Sequence, residues 1–107
     1  MQSNVIILEN ESQYHQMMEK QETFLMYFTT PDCGVCKVLY PKLLNEIEAF
    51  SYPLLKIDAS TFTELSGQYL VFAVPTVLII HQQKEVLRES RYIDFNKINR
   101  LLNLLTD

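Results

Sequence analysis

Cys33 and Cys36 are the only cysteines in this 107-residue chain, and they stand in the run Cys33-Gly34-Val35-Cys36. Two thiols at that spacing can close into a disulfide and open again. The segment before them reads as a strand and the segment after them as a helix, so the pair falls where one gives way to the other. At a helix start the first sulfur lies near backbone N–H groups without partners and near the positive end of the helix dipole, which favours thiolate over thiol. Cys33 is therefore the candidate nucleophile. One helical turn brings Cys36 to roughly 5–6 Å from Cys33 between Cα atoms, within disulfide reach. From there it can attack a mixed disulfide formed at Cys33, which makes it the candidate resolving thiol.

Two other uses of the pair have to be weighed. In a reducing compartment such a pair is more often catalytic or metal-binding than a permanent staple. A structural zinc site needs four ligands, this motif offers two, and neither His15 nor His81 stands at ligand spacing. The reading is thus of thiol chemistry with no metal and no organic cofactor, because the sulfurs hold both electrons themselves.

The elements that must position the pair can be read from the pattern of apolar residues. Val5-Ile6-Ile7-Leu8 is a short strand; Asn10 with Gln13 three residues on makes a capping box for a helix running to about Lys20. Thr23 to Thr29 is almost continuously apolar, which suits a central strand buried on both faces. Val35, Leu39, Leu43, Ile47 and Phe50 recur at helical spacing, with a bend expected at Pro41, whose ring removes a backbone donor. Leu54 to Asp58 reads as a strand and Ser60 to about Leu70 as a short helix. Thr76 to Ile80 and Glu85 to Tyr92 form a closing hairpin around Gln82-Gln83-Lys84, a turn without Gly or Asn to supply positive φ. Asp94 caps a last helix whose Phe95, Ile98, Leu101, Leu102 and Leu105 make one apolar stripe, a core-facing surface. The order βαβαβαββα predicts an α/β domain, a sheet covered by helices on both faces.

Residues 1–107 read as a single domain: there is no repeat or linker-like tract, and 48% hydrophobic residues suffice for one core. The formal charge of −4 argues against nucleic acid as a partner. The acidic bias lies in residues 1–32, where five Asp or Glu face one Lys, and reads as a solvated face. The opening Met1-Gln2-Ser3-Asn4 has no basic start, and Val5 to Leu8 is too short for a signal peptide core. The longest apolar stretch, Leu70 to Ile80, is broken by Pro75 and Thr76 and falls short of a membrane span. A soluble, cytoplasmic protein without membrane contact is expected.

Strand, turn, Cys-x-x-Cys, helix and a proline five residues past the second cysteine together resemble the thioredoxin family. The resemblance covers nearly the whole chain: Phe24 to Thr29, Cys33 and Cys36, Lys37, Pro41, Ile57-Asp58 and Val74-Pro75-Thr76. It implies the thioredoxin fold, with a mixed central sheet. It implies a cis bond before Pro75, set beside the sulfurs, which leaves the Val74 backbone free to pair with an extended substrate peptide. It implies exchange with disulfide-containing proteins or small thiols, a thioredoxin reductase as a candidate electron donor, and a monomer.

The chain departs from the family's pattern at several places. Asp32 replaces the usual tryptophan before the first cysteine; its carboxylate would raise the Cys33 pKa and discourage anionic substrates, or else it simply caps the helix. Tyr27 occupies the place of a buried aspartate that helps deprotonate the resolving thiol, so without another base the second half of the exchange should be slow at neutral pH. That aspartate's lysine partner maps to Leu54, while Lys56 shares its strand parity and can point the same way. Thr29 stands for another tryptophan. Tyr92 replaces a groove-opening glycine and would narrow the groove. Val35 stands for proline, which by analogy makes a weaker reductant. Val74, Pro75, Asp32, Gly34, Val35 and Tyr92 are thus the candidate substrate-contacting residues. A second reading from a different class keeps the scaffold as a non-catalytic binding or redox-sensing module, marked by Tyr27, Asp32 and Tyr92. Glutaredoxin-like glutathione chemistry is disfavoured, because the Gly-Gly pair of those proteins is missing after the Pro75 strand.

Overall fold

A computed structural model describes residues 4–106. Five strands form one sheet in the order β1-β3-β2-β4-β5: β1 (Val5–Ile7), β2 (Thr23–Thr29), β3 (Leu54–Asp58), β4 (Thr76–His81) and β5 (Lys84–Ser90). The first three are parallel to one another; β4 runs antiparallel to β2 and β5 antiparallel to β4. The helices are α1 (Glu11–Lys20), α2 (Gly34–Ile47), α3 (Thr63–Gln68) and α4 (Phe95–Leu105). This is the βαβαβαββα order expected from the apolar pattern, in the mixed sheet that the resemblance implies.

The hydrophobic run of β2 follows from its place in the middle of the sheet. Phe24, Met26 and Phe28 face one layer, packed with Tyr14 and Met17 of α1 and Leu65 of α3. Leu25 and Tyr27 face the other, packed with Leu43 and Ile47 of α2 and Ile98 and Leu102 of α4. All five β2 residues are 0% exposed. Truncating one of the aliphatic ones to alanine would cost about 2–5 kcal/mol.

Local signals set the starts of α1 and α4 as expected. Asn10 accepts from the Gln13 N–H at 3.2 Å while the Gln13 side chain reaches back to the Asn10 N–H, completing the capping box. Asp94 accepts from the N–H groups of Asn96 and Lys97.

Some boundaries differ from the sequence reading. Helix α2 ends at Ile47 and not at Phe50; the chain turns there through a Phe50 N–H to Ile47 carbonyl bond. Helix α3 starts only at Thr63, because Asp58 gathers the Ser60 N–H, the Ser60 hydroxyl and the Thr61 hydroxyl into a turn first. Strand β5 stops at Ser90, so Tyr92 lies in the connection to α4. The hairpin turn itself is two residues, Gln82 and Gln83, with φ of 52° and 69°. The pairing of His81 with Lys84 forces that left-handed conformation on side chains that do not favour it. The turn is tied to α1 and to the start of β2: the Gln82 N–H donates to the Glu22 carbonyl, and the Gln83 amide to the Met18 carbonyl.

Candidate active site

Cys33 is the N-cap residue of α2, with extended backbone (φ −86°, ψ 104°). Its Sγ accepts the Cys36 N–H at 3.2 Å, so the sulfur does what a serine or aspartate oxygen does at other helix starts. Cys33 and Cys36 are joined as a disulfide with their Cα atoms 5.3 Å apart. The two sulfurs differ in access: Cys33 is half-buried, whereas Cys36 is 3% exposed. Asp32 does not cap the helix. The cap position falls to Cys33, and Asp32 lies one residue too early, exposed and outside the helix.

The sheet brings Val74 and Pro75 to the same end as the cysteines. Phe28 is paired with Thr76, so Pro75 comes level with Thr29, from which the chain leaves β2 towards Cys33. The Val74–Pro75 peptide bond is cis. Val74 and Thr30 line a shared cavity of about 220 Å³ together with Ser60, Ser66 and Phe72. Thr30 in turn accepts the Cys33 N–H at 3.2 Å. Gly34 and Val35, between the two cysteines, are exposed, and a side chain at Gly34 would meet no atom within 4 Å. Tyr92 is drawn to the same end because the Arg91 N–H donates to the Pro75 carbonyl at 2.8 Å. Its ring is 91% exposed and stands out in solvent.

Phe72, 84% exposed beside Val74, belongs to this face and escaped the sequence reading. An aromatic residue inside the apolar stretch Leu70 to Ile80 reads as core, and only the turn after α3, where Leu70 takes φ 56°, sends it outward.

A second cavity, of about 420 Å³, lies behind Cys36 and is lined by Cys36, Tyr27, Tyr40, Lys56 and Asp58 among others. Tyr27 is fully buried and donates its phenol hydrogen to the Cys36 carbonyl at 3.3 Å. Tyr40 stacks on it, ring centroids 5.4 Å apart and planes within 10° of parallel. Lys56 is the register partner of Tyr27 and holds its ammonium 4.3 Å from the centre of the Tyr40 ring. Leu54, by contrast, pairs with Leu25 and is buried in the core. Burial pushes the Tyr27 and Tyr40 phenols above their ordinary pKa, so both stay protonated at neutral pH. The Asp58 carboxyl is held below its usual range, chiefly by the Ser60 hydroxyl, so it is ionised and a weak base. Tyr40 also escaped the sequence reading, although its place one helical turn after Cys36 was signal enough.

Among the described residues no three His, Cys, Asp or Glu side chains gather closely enough to hold a metal, and no helix is long and apolar enough to cross a membrane.

Comparison with known proteins gives a consistent picture. The sequence model of the family described as Thioredoxin matches residues 4–107. The thioredoxin-like protein YdfQ of Bacillus subtilis is 33% identical over 85 residues, which is 78% of this chain and 76% of that protein. A probable protein disulfide-isomerase A4 of Caenorhabditis elegans is 31% identical over 77 residues, 72% of this chain but only 12% of that much longer protein. Among solved structures, a mutant thioredoxin from Halobacterium salinarum superposes with a TM-score of 0.86 at 20% identity, covering 99% of this chain and 94% of the other.

Proposed function

This chain belongs to the thioredoxin family and is a thiol–disulfide oxidoreductase; on that premise we propose that Cys33 is its attacking thiol and Cys36 its resolving thiol. The observation that supports this division most is the Cys36 N–H aimed at the Cys33 sulfur at the start of α2. When the disulfide is reduced, the same amide and the helix dipole favour a negative charge on Cys33. The unequal access of the two sulfurs supports it as well, since only the half-buried one can be approached by a bulky disulfide.

In the first step the Cys33 thiolate attacks one sulfur of a substrate disulfide, the substrate S–S bond breaks, and the other substrate sulfur leaves as thiolate. In the second, Cys36 loses its proton and attacks the Cys33 sulfur. The mixed disulfide breaks, the second substrate sulfur leaves, and the protein is left with the Cys33–Cys36 disulfide. Two electrons have passed to the substrate, and an external dithiol donor must restore them.

The substrates are disulfide-containing proteins or small thiols. An extended peptide lies against Val74 and Pro75, beside Gly34 and Val35, with Phe72 and Tyr92 as apolar flanks and Asp32 opposing acidic partners. A thioredoxin reductase is the candidate donor. The protein works as a soluble, cytoplasmic monomer of one domain.

The test is insulin reduction with dithiothreitol as donor, comparing wild type with Cys33→Ser and Cys36→Ser. Cys33→Ser should fall to the uncatalysed rate, and Cys36→Ser should accumulate a mixed disulfide at Cys33. A wild-type rate equal to that of Cys33→Ser would instead favour the non-catalytic binding module.

A further inference from the structure

The resolving step needs a Cys36 thiolate, and the cavity behind Cys36 offers no neutral-pH base. The groups facing it are Tyr27 from β2, Lys37 and Tyr40 from α2, and Lys56 and Asp58 from β3. The phenols of Tyr27 and Tyr40 are protonated. Both Asp58 oxygens are engaged, Oδ1 by the Ser60 N–H and hydroxyl and Oδ2 by the Thr61 hydroxyl, which turns the carboxylate towards the following turn.

Lys56 differs from the others. Among the described residues the one ion pair joins Arg88 to Glu85, so the half-buried Lys56 ammonium has no carboxylate partner. It rests on the Tyr40 face, and Tyr40 is held by stacking on Tyr27, whose hydroxyl is bonded to Cys36. A fixed positive charge is thus held at the wall of the cavity that Cys36 also lines. Lys37 lines it too, but it is exposed, so its charge is screened by water.

We propose that Lys56 stabilises the Cys36 thiolate across this cavity and thereby takes over, with a cation alone, the task that a buried carboxylate would otherwise perform. The proposal rests on the assignment of Cys36 as the resolving thiol. The Cys36 proton passes to water in the cavity and on to solvent; the freed electron pair attacks Cys33, and the substrate sulfur departs with the electrons of the broken bond. Lys56 acts by charge alone, from a place fixed by the two tyrosines.

The experiment uses the Cys33→Ser chain, in which Cys36 is the only thiol, and follows thiolate absorbance against pH. Adding Lys56→Met or Lys56→Gln should raise the Cys36 midpoint by about one pH unit, and Lys56→Arg should leave it in place. In the chain with both cysteines, the thiolate fraction at neutral pH should fall about tenfold in Lys56→Met. Higher intrinsic nucleophilicity offsets part of that loss, leaving resolution of a preformed mixed disulfide slower by roughly threefold. Lys56→Gln removes the charge but keeps a polar amide at the end of the side chain, so it carries the test should Lys56→Met fail to fold. Midpoints that coincide in Met, Gln and wild type overturn the proposal. So does a rise that Arg fails to reverse, which would mark a packing role for Lys56. Insulin reduction separates the two readings: activity that depends on Cys33 with an unmoved Cys36 midpoint sinks this proposal alone, and no activity in wild type sinks the assignment beneath it.

Discussion

The Tyr27 hydroxyl donates to the main-chain carbonyl of Cys36 across 3.3 Å, joining the central strand to the first turn of the helix that carries both sulfurs. The thioredoxin resemblance puts a carboxylate at that place; this chain puts a buried phenol there. The substitution therefore changes more than a proton acceptor, because the ring also carries the stack with Tyr40.

Restoring the carboxylate should accordingly fail. Tyr27→Asp removes a fully buried ring, empties part of the core and strands a charge in it, so a loss of about 3–5 kcal/mol is expected. Tyr27→Phe keeps the ring and loses one hydrogen bond, a loss of about 0.5–1.5 kcal/mol. Urea unfolding of the two variants checks this; a Tyr27→Asp chain as stable as Tyr27→Phe would contradict the packing role assigned to the ring.

The hairpin should be improvable. Gln83 holds φ 69°, a left-handed conformation that costs a side-chain-bearing residue about 1–2 kcal/mol and glycine almost nothing. Gln83→Gly removes that cost and gives up only an exposed 3.2 Å bond from its amide to the Met18 carbonyl. A rise in Tm of a few degrees is expected, measured by circular dichroism. A fall in Tm would mean that the tie to α1 outweighs the backbone strain.

Acid should weaken the protein in part through Asp58. Its carboxyl is held below its unfolded value mainly by the Ser60 hydroxyl. A depressed folded pKa means that the folded state binds fewer protons than the unfolded one. The resulting stability is therefore complete above the unfolded pKa of about 3.9, and it is lost as pH falls through the lower folded value. Asp58→Asn should flatten the decline of the urea midpoint below about pH 4 while leaving Glu85, held low by Arg88, to titrate as before. Parallel curves for the variant and wild type would remove Asp58 from the account.

Much of this protein is legible from residues alone. The capping box at Asn10, the Asp94 cap, the two-sided run of β2 and the spacing of Cys33 and Cys36 are local signals: each depends on neighbours a few residues away, and each was matched by an element in the folded chain. The limits of that legibility are equally physical. Cys33 and not Asp32 caps α2, because the backbone turns one residue later than side-chain preference suggests. The turn at Gln82-Gln83 has no favourable residue of its own; pairing between β4 and β5 and the bonds to Glu22 and Met18 impose it.

By itself, then, the order of residues determined that a thiol pair would sit at a helix start between layers of a covered sheet, because periodicity and capping act at short range. Only the tertiary structure decided what surrounds that pair. Lys56 is paired with Tyr27 because β3 lies beside β2 in register, and Val74 shares a cavity with Thr30 because β4 returns along the opposite edge of β2. Such juxtapositions join residues tens of positions apart, and they are fixed by strand order and register, which no local pattern encodes.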